Sequence, residues 1–419
     1  VSIAPNYAPE IRMQIAGRPA PAALRGSITS VSATCGFGDA DRLEVILANE
    51  GLRWLDDDVM RLDTPIELWL GYSPEEPERI FAGEVVGSQA AFPSSGIPTL
   101  TVIAQDRRTR LAAASPSRWF GVKIPQIGIM PLPDVAVAPL LAVEHGLLPT
   151  IDPLGSLLSA ALSAVEAVDD PTMGQRIVRE QAGETSLDLL KRIAAENAWE
   201  IVIDHKASPG GLVLSLMSPG AHLAPDVTLR YGHSLLDFTP RVSTVGQIAR
   251  VTARVWIPSL RVELTISVGY DWDRQALDVQ IAPGFGRPVD DEKAKEVMFL
   301  DEALSPANAA RVVLGKLLPL LNRRITATGS CVGNAAIRAG HVLRIEGVGE
   351  TYGGLWRVTS AVQTVDSTGW HTTFDVRKEI WFGSIPPTSQ GAVRVQGGLL
   401  SPPVLPDPIR MQTRSQPGR

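Results

Sequence analysis

"GETSLDLLKRIAAENAWEIVIDH", residues 183–205, contains a whole helix-to-strand transition, and the rest of the chain can be read outward from it. Thr185 followed three residues later by Asp188 is a capping box, in which side-chain oxygens take up N–H groups that the first helical turn leaves without partners. Leu187, Leu190, Ile193 and Ala194 recur at helical spacing and give one apolar stripe. Asn197 ends the helix. From Trp199 the period becomes two, with Trp199, Ile201 and Ile203 on one face and Glu200 and Asp204 on the other. Residues 205–211, "HKASPGG", turn the chain back, and Leu212, Leu214 and Leu216 resume the alternation. The spacing predicts a helix packed on a β-hairpin.

On the N-terminal side, "EIRMQIAG", "RGSITSVSATC", "DRLEVILAN", "TPIELWLGY", "RIFAGEVVGSQAAF" and "PTLTVIAQD" are short alternating runs separated by Gly, Pro, Asp or Ser, the pattern of a barrel or sandwich. Residues 131–183 read as helical, through "DVAVAPLLAVEHG" and the small-residue-rich "GSLLSAALSAVEAVDD", which looks inserted. After the hairpin, strands resume with "TLRYGHSLLDFTPR", "GQIARVTARVWIP" and "RVELTISVGYDW". A helix is expected over "DDEKAKEVMFLDEAL", residues 290–304. A second has Pro306 at its first position, a stripe of Ala309, Val312, Val313, Leu317 and Leu320, and a bend or end at Pro319. Strands follow to about Phe382. From Ile385 the chain has too little patterned apolar surface to fold alone, so an extended arm is expected.

Two of these regions match. "PIELWLG" (65–71), an acidic turn, the strand 80–90, a Ser/Gly turn and "TLTVIAQD" (99–106) run in the same order as "HVLRIEG" (341–347), a Gly-rich turn, the strand 355–365, a Ser/Gly turn and "HTTFDVRKE" (371–379). Equal order, lengths and turn chemistry point to one β-domain duplicated within the chain.

A chain of 419 residues suits two to four domains, and its 37 Gly and 33 Pro indicate many turns and short strands. The net charge of −6 gives no basic footprint, so specific nucleic-acid binding is not expected. Cys35 and Cys331 match no metal or redox spacing and read as plain buried thiols of a reducing compartment. No window is long and apolar enough for a spanning helix and no secretion signal opens the chain, so a soluble protein made in the cytoplasm is expected.

The candidates for chemistry are few. "GSCVG", residues 329–333, imitates a nucleophile elbow around Cys331, but loop and strand follow where that elbow needs a helix. Asp271, Asp273 and Asp278 could supply paired carboxylates for glycan hydrolysis, against the commoner reading of solvated turn acids. His145, His205, His222, His233, His341 and His371 show no zinc spacing. "EGVGETYGG" links two strands and "LGKLL" lacks the flanking residues of a P-loop, so neither predicts a nucleotide site. The acidic "WLDDDVMRLD", residues 54–63, lacks calcium-loop spacing and reads as a solvated turn. Trp256, Trp272, Trp356, Trp370 and Trp381 read as core or subunit-interface anchors in preference to a sugar-stacking platform. No catalytic residue, metal ligand or cofactor is therefore predicted.

"GETSLDLLKRIAAENAWEIVIDH" with "GGLVLSLMSPG" and "LRYGHSLLDFTPRVSTVGQIARVTARVWIP" resembles the core of the phage late control protein D family and the hub part of the type VI secretion VgrG proteins. "IRAGHVLRIEGVGETYGGLWRVTSAVQTVDSTGWHTTFDVRK" is similar to the closing barrel of that family, and "ELWLGY", "RIFAGEVVG" and "LTVIAQDRRTRL" extend the likeness over residues 8–382. The chain departs from the pattern at Ile257-Pro258, where the family has Asp-Pro, and in the "SLLSAALSAVEAVDD" insertion. No OB-fold and β-helix spike follows, so the resemblance implies a needle tip made by a separate polypeptide.

What the resemblance implies is a β-dominated α+β fold with two tube-like β-barrel domains, residues 1–112 and 236–384. Between them lies a helical and helix-plus-hairpin module, residues 113–235, and an extended arm follows at 385–419. The implied role is a structural, non-enzymatic baseplate hub of a phage tail or contractile injection system. A homotrimer would join a hexameric tail-tube protein to a trimeric spike protein beside other baseplate proteins, without inserting in a membrane. The rival reading is a tail-tip peptidoglycan hydrolase using Asp271 and Asp273 or Cys331, and a third is a glycan-binding module.

Overall fold

A computed structural model of the chain describes residues 8–113, 115–125, 128–152, 179–218, 220–242, 248–257, 262–271, 276–283, 296–304, 315–316, 318–379 and 382. It opens with β1 (Pro9–Ile15), β2 (Arg18–Pro19), α1 (Ala22–Ser27), β3 (Ile28–Gly36), β4 (Arg42–Ala48), β5 (Pro65–Tyr72), β6 (Glu78–Ala91) and β7 (Thr99–Gln105). A middle part holds β8 (Ser117–Ile124), β9 (Gly128–Pro131), α2 (Asp134–Glu144), β10 (Leu148–Ile151), β11 (Arg179–Ala182), α3 (Ser186–Glu196), β12 (Glu200–Asp204) and β13 (Val213–Met217). The last part comprises β14 (Val227–Arg230), β15 (Leu235–Val242), β16 (Ile248–Ile257), β17 (Val262–Asp271), β18 (Ala276–Pro283) and β19 (Glu296–Leu304). It ends with β20 (Ile325–Val332), β21 (Val342–Glu346), α4 (Gly349–Tyr352), β22 (Gly354–Asp366) and β23 (Gly369–Arg377). The fold is β-dominated, with one large, mostly antiparallel sheet and few helices.

The helix and hairpin of residues 183–217 form from the signals in their sequence. Thr185 Oγ1 accepts the Asp188 N–H at 3.0 Å and donates to the Asp188 carboxylate at 2.7 Å. Leu189, Leu190, Ile193 and Ala194 are buried and Leu187 only partly, so the inward stripe is centred one step from the predicted one. Strands β12 and β13 pair antiparallel with Ile203 opposite Leu214 and Ile201 opposite Leu216. Two expectations fail. Residues 296–304 form β19, paired parallel with β16, where a helix was expected. "EVMFLDEAL" has strong local helix formers, but a short apolar run also fits a strand, and pairing with β16 decides between them. The stretch read as helical around 131–183 contains β10 and β11 beside α2, the short strands being claimed by β13 and β8. The segments 156–170, 305–314 and 385–419 lie outside the described residues.

The dominant feature is a thirteen-stranded sheet running β15-β20-β23-β22-β3-β4-β7-β6-β5-β1-β2, with β21 and β14 branching from β22. It contains one arrangement twice. The order β3-β4-β7-β6-β5-β1 is matched by β15-β20-β23-β22-β21-β14. Register agrees as well as order: Arg42 faces Gln105 and Ile46 faces Thr101, as Thr326 faces Arg377 and Ser330 faces Thr373. Both copies carry β-bulges at the same two places. Thr29 and Leu236 are the extra residues in β3 and β15, and Val86 and Thr359 those in β6 and β22. A one-residue slip would turn a whole strand's side chains to the wrong face, so four coincident bulges with matching registers mark one unit repeated. The copies differ at β1, which runs antiparallel to β5 while β14 runs parallel to β21. They also differ in the separate β18-β17-β16-β19 sheet inserted between β15 and β20.

The copies meet edge to edge where residues 360–365 of β22 pair with residues 31–36 of β3. Apolar packing crosses this joint, because the first core takes in Val365 and Trp370, and Trp370 lies 4.8 Å from the ring of Tyr72.

Candidate functional site: a buried ionic centre and a polar sheet face

The turn at residues 205–211 is a docking point. Arg79 of β6 donates to the carbonyls of His205 and Ala207 at 2.7 Å each, and Arg107 donates to that of Gly210 at 3.0 Å. A Cβ at Gly210 would come within 2.3 Å of the Arg79 guanidinium, so only glycine admits this clamp.

Behind it lies a fully buried ionic centre. Asp41 precedes β4, Asp106 follows β7, Arg108 lies two residues further on, and His205 follows β12. Arg108 donates to Asp106 Oδ2 at 2.7 and 2.9 Å and to Asp41 Oδ1 at 2.5 Å. Asp106 also accepts the N–H groups of Asp41 and Arg108, and Asp41 accepts that of Gly36. His205 Nδ1 accepts the Ala82 N–H at 3.1 Å, which leaves the proton on Nε2 to be donated to Asp41 at 2.8 Å. Burial opposes the Arg108 charge, but Asp41 and Asp106 overcome it and hold the guanidinium above its ordinary pKa. The ligand-type atoms of Asp41, Asp106 and His205 lie within 4.8 Å of one another. Arg108 already serves as their cation, and all four carboxylate oxygens accept hydrogen bonds, so the donor set is that of a structural ion cluster. Sequence spacing could not reveal it, since His205 and Asp41 are 164 positions apart; the one local signal is Asp-x-Arg at a strand end.

The other end of β12 is tied to the second sheet. Arg377 donates to Glu200 at 2.7 Å and to Glu379 at 2.9 Å, while buried Arg357 holds Glu379 and the carbonyls of Gly340 and Ala221. Glu200, at the start of this five-residue strand, is ion-paired to the second copy, while His205, just past its end, hydrogen-bonds Asp41 of the first.

Among the described residues the remaining sequence candidates do not assemble a catalytic group. Cys331 is buried in β20, is followed by loop and β21, and burial pushes its thiol up to about 12, the reverse of an activated nucleophile. Cys35 is likewise raised to about 11 by burial and by Asp41, and both cysteines are free. Asp273 lies outside the described residues, as do Trp272, Trp381 and the side chains of Asp271, Asp278 and Trp256. Trp356 and Trp370 are core residues, with indole N–H groups satisfied by Tyr352 O and Gln363 Oε1. His222 contacts Asp226 at 2.8 Å, and His341 stands 3.8 Å from the same carboxylate. His145 bonds Ser186 and His371 bonds Thr368. "WLDDDVMRLD" forms turns, with Asp57 capping Val59 and Trp54 tucked inside.

What the sheet presents outward is a hydroxyl-rich surface crossing both copies. One row reads Asp237, Ser330, Thr373, Val362, Thr34, Arg42, Gln105 and Glu84, each facing the next on the neighbouring strand. Ser330 donates to Asp237 at 3.1 Å and Ser360 to Asp375 at 2.8 Å. Such a face suits contact with water. No helix among the described residues is long and apolar enough to cross a membrane.

No protein-family model matches the sequence, and no curated protein matches it. Solved structures do match in fold. The 43 kDa tail protein of prophage MuSo2 from Shewanella oneidensis aligns with a TM-score of 0.57 at 12% identity, over 88% of this chain and 98% of its own. A tail protein from Neisseria meningitidis MC58 gives 0.54 at 11%, over 89% and 97%. The c3393 protein of E. coli, described as a type VI secretion component similar in structure to T4 bacteriophage tail proteins gp27 and gp5, gives 0.51 at 10%, over 87% and 76%. The chain has a phage tail-protein fold. Within that class, its fold likeness extends to the type VI secretion component as well as to the two tail proteins.

Proposed function

We propose that the chain is a structural hub of the baseplate of a phage tail or phage tail-like contractile injection system. In this reading the two copies of the repeat are tube-like β-barrel domains, residues 1–112 and 236–384, held by the module of residues 113–235 and followed by an arm at 385–419. Three chains form a homotrimer that presents six similar units to a hexameric tail tube and a three-fold face to a trimeric spike, with other baseplate proteins around it. The carrying observation is the repeat, equal in strand order, register and bulge position, because a closed ring must offer equivalent patches to a repeated partner. The hydroxyl-rich sheet face supports a water-lined lumen. Assembly takes place in the bacterial cytoplasm, with no cofactor and no catalytic step.

Native mass spectrometry over a rising concentration series, followed by imaging, tests this. The expected product is a ring of three chains with six similar lobes, populated only at high concentration if assembly normally drives it. A ring of another stoichiometry, or lobes of two distinct kinds alternating at different radii, would overturn it.

A further inference from the structure

The in-chain joint predicts where a second copy of the chain binds. Residues 360–365 of β22 reach beyond β21 and take up β3 on that side. The repeat assigns an equivalent to each partner: the shared bulges equate β22 residues 360–365 with 87–92 at the end of β6, and β3 with β15. Among the described residues both equivalents are open: β5 pairs with β6 only as far as Glu84, and β15 beyond Leu235 pairs only with β20. Among the described residues no backbone hydrogen bond from a turn or loop reaches 87–91 or 236–242.

Side-chain exposure repeats the contrast. Val31 and Val365, opposite each other across the in-chain joint, are 0% and 7% exposed. Their equivalents are Phe238 and Phe92, and Phe92 is 61% exposed although it occupies a core-facing position. Leu236 and Val242 on β15 and Val86 on β6 are also more than two-fifths exposed, along edges that offer unpaired backbone groups.

Resting on the ring reading above, we infer that residues 87–92 of one copy pair antiparallel with β15 of the next, in the register Ser88–Val242, Gln89–Arg241, Ala90–Pro240, Ala91–Thr239 and Phe92–Phe238. Phe92 then enters the core of the neighbouring copy beside Phe238, whose ring already meets Trp356 edge-on at 5.3 Å. The contact is head-to-tail, and in the ring reading the in-chain joint and this one alternate around the closed assembly. Pro240 stands where the in-chain joint has Ala33. The Phe37 N–H donates to Thr359 O across that joint, and alternation then aims residue 33 at β22 as well. The inter-copy ladder therefore lacks one donor at Pro240. That loss blunts the free edge of β15 against indiscriminate pairing and makes this joint weaker than the one within the chain.

The test is oxidation of the full chain carrying Ala91→Cys with Thr239→Cys, at the concentration where multimers form, read on a denaturing gel. Cys331 is buried and Cys35 partly buried, and both thiols are raised in pKa, so the same oxidation of the natural chain serves as the baseline for the native pair. Inter-chain crosslinks should exceed those of the register-shifted pair Gln89→Cys with Thr239→Cys by about tenfold or more, since disulfide geometry tolerates little displacement. Separately, Phe92→Asp should abolish multimers while leaving the far-ultraviolet circular dichroism of the monomer unchanged. A three-chain ring that forms without the Ala91–Thr239 crosslink overturns this joint and leaves the hub reading standing. A chain that never multimerises overturns both.

Discussion

The two copies of the repeat share a backbone plan and fill it with different side chains, and the differences gather where each copy meets something else. Glu84 and Arg357 occupy equivalent positions with opposite charge, Glu84 paired to Arg107 and Arg110, Arg357 to Glu379. Strand order and register are kept because one slipped residue would turn a core face outward. Side chains at strand ends are free to diverge, since each set answers to its own neighbour. Asp41 and Asp106 flank the first copy's β4 and β7, whereas Ile325 and Lys378 hold the matching places in the second. Only the first copy therefore has the Arg108 centre.

That asymmetry gives the largest expected effect. Arg108→Met keeps most of the side-chain volume but leaves Asp41 and Asp106 buried without their counter-ion, which costs about 3–5 kcal/mol. Chemical denaturation followed by circular dichroism should show the loss as an earlier transition. An unchanged midpoint would mean that the centre adds nothing to the docking of β12 on the first copy.

A second contrast lies in the cores. The first copy has Phe81 and Gly83 where the second has Gly354 and Trp356, so a large ring is supplied from either of two positions on one strand face. A Cβ at Gly83 would stand 2.2 Å from the Gln105 carbonyl and 2.7 Å from the Phe81 ring. Gly83→Ala should thus destabilise by about 1–3 kcal/mol through overpacking. The double variant Phe81→Ala with Gly83→Ala tests the cause: relief of part of the loss would implicate the ring, and no relief would implicate the carbonyl alone.

How legible this was in the sequence follows from range. The strands of residues 9–105 and the α3 helix were readable because alternation and a capping box act over a few residues. β19 was misread because its local preference and its pairing with β16 disagree. The repeat was visible as strand lengths and turns between 65–106 and 341–379, but the bulges at Thr29, Val86, Leu236 and Thr359 leave no sequence mark. Neither does the meeting of His205 with Asp41, which exists only after the hairpin has docked.

The smallest expected effect separates the copies by pH. Cys331 holds the place that Leu47 holds in the first copy, and both are buried, but only the thiol can ionise. Burial raises it from an ordinary value of 9.0 to about 12, so between those limits the unfolded chain sheds a proton that the folded chain keeps. Stability must then fall as pH rises through that window, and it is insensitive to this group below it. At pH 10 the contribution is about 1 kcal/mol, from one unit of ionisation in the unfolded state alone. Urea midpoints at pH 8 and pH 10 should therefore lie closer together for Cys331→Ala than for the natural chain. The same comparison for Leu47→Ala should show a uniform loss at both values. A pH gap as wide in Cys331→Ala as in the natural chain would assign the alkaline limb to other groups, with Cys35 next in line because its thiol is raised by the same cause.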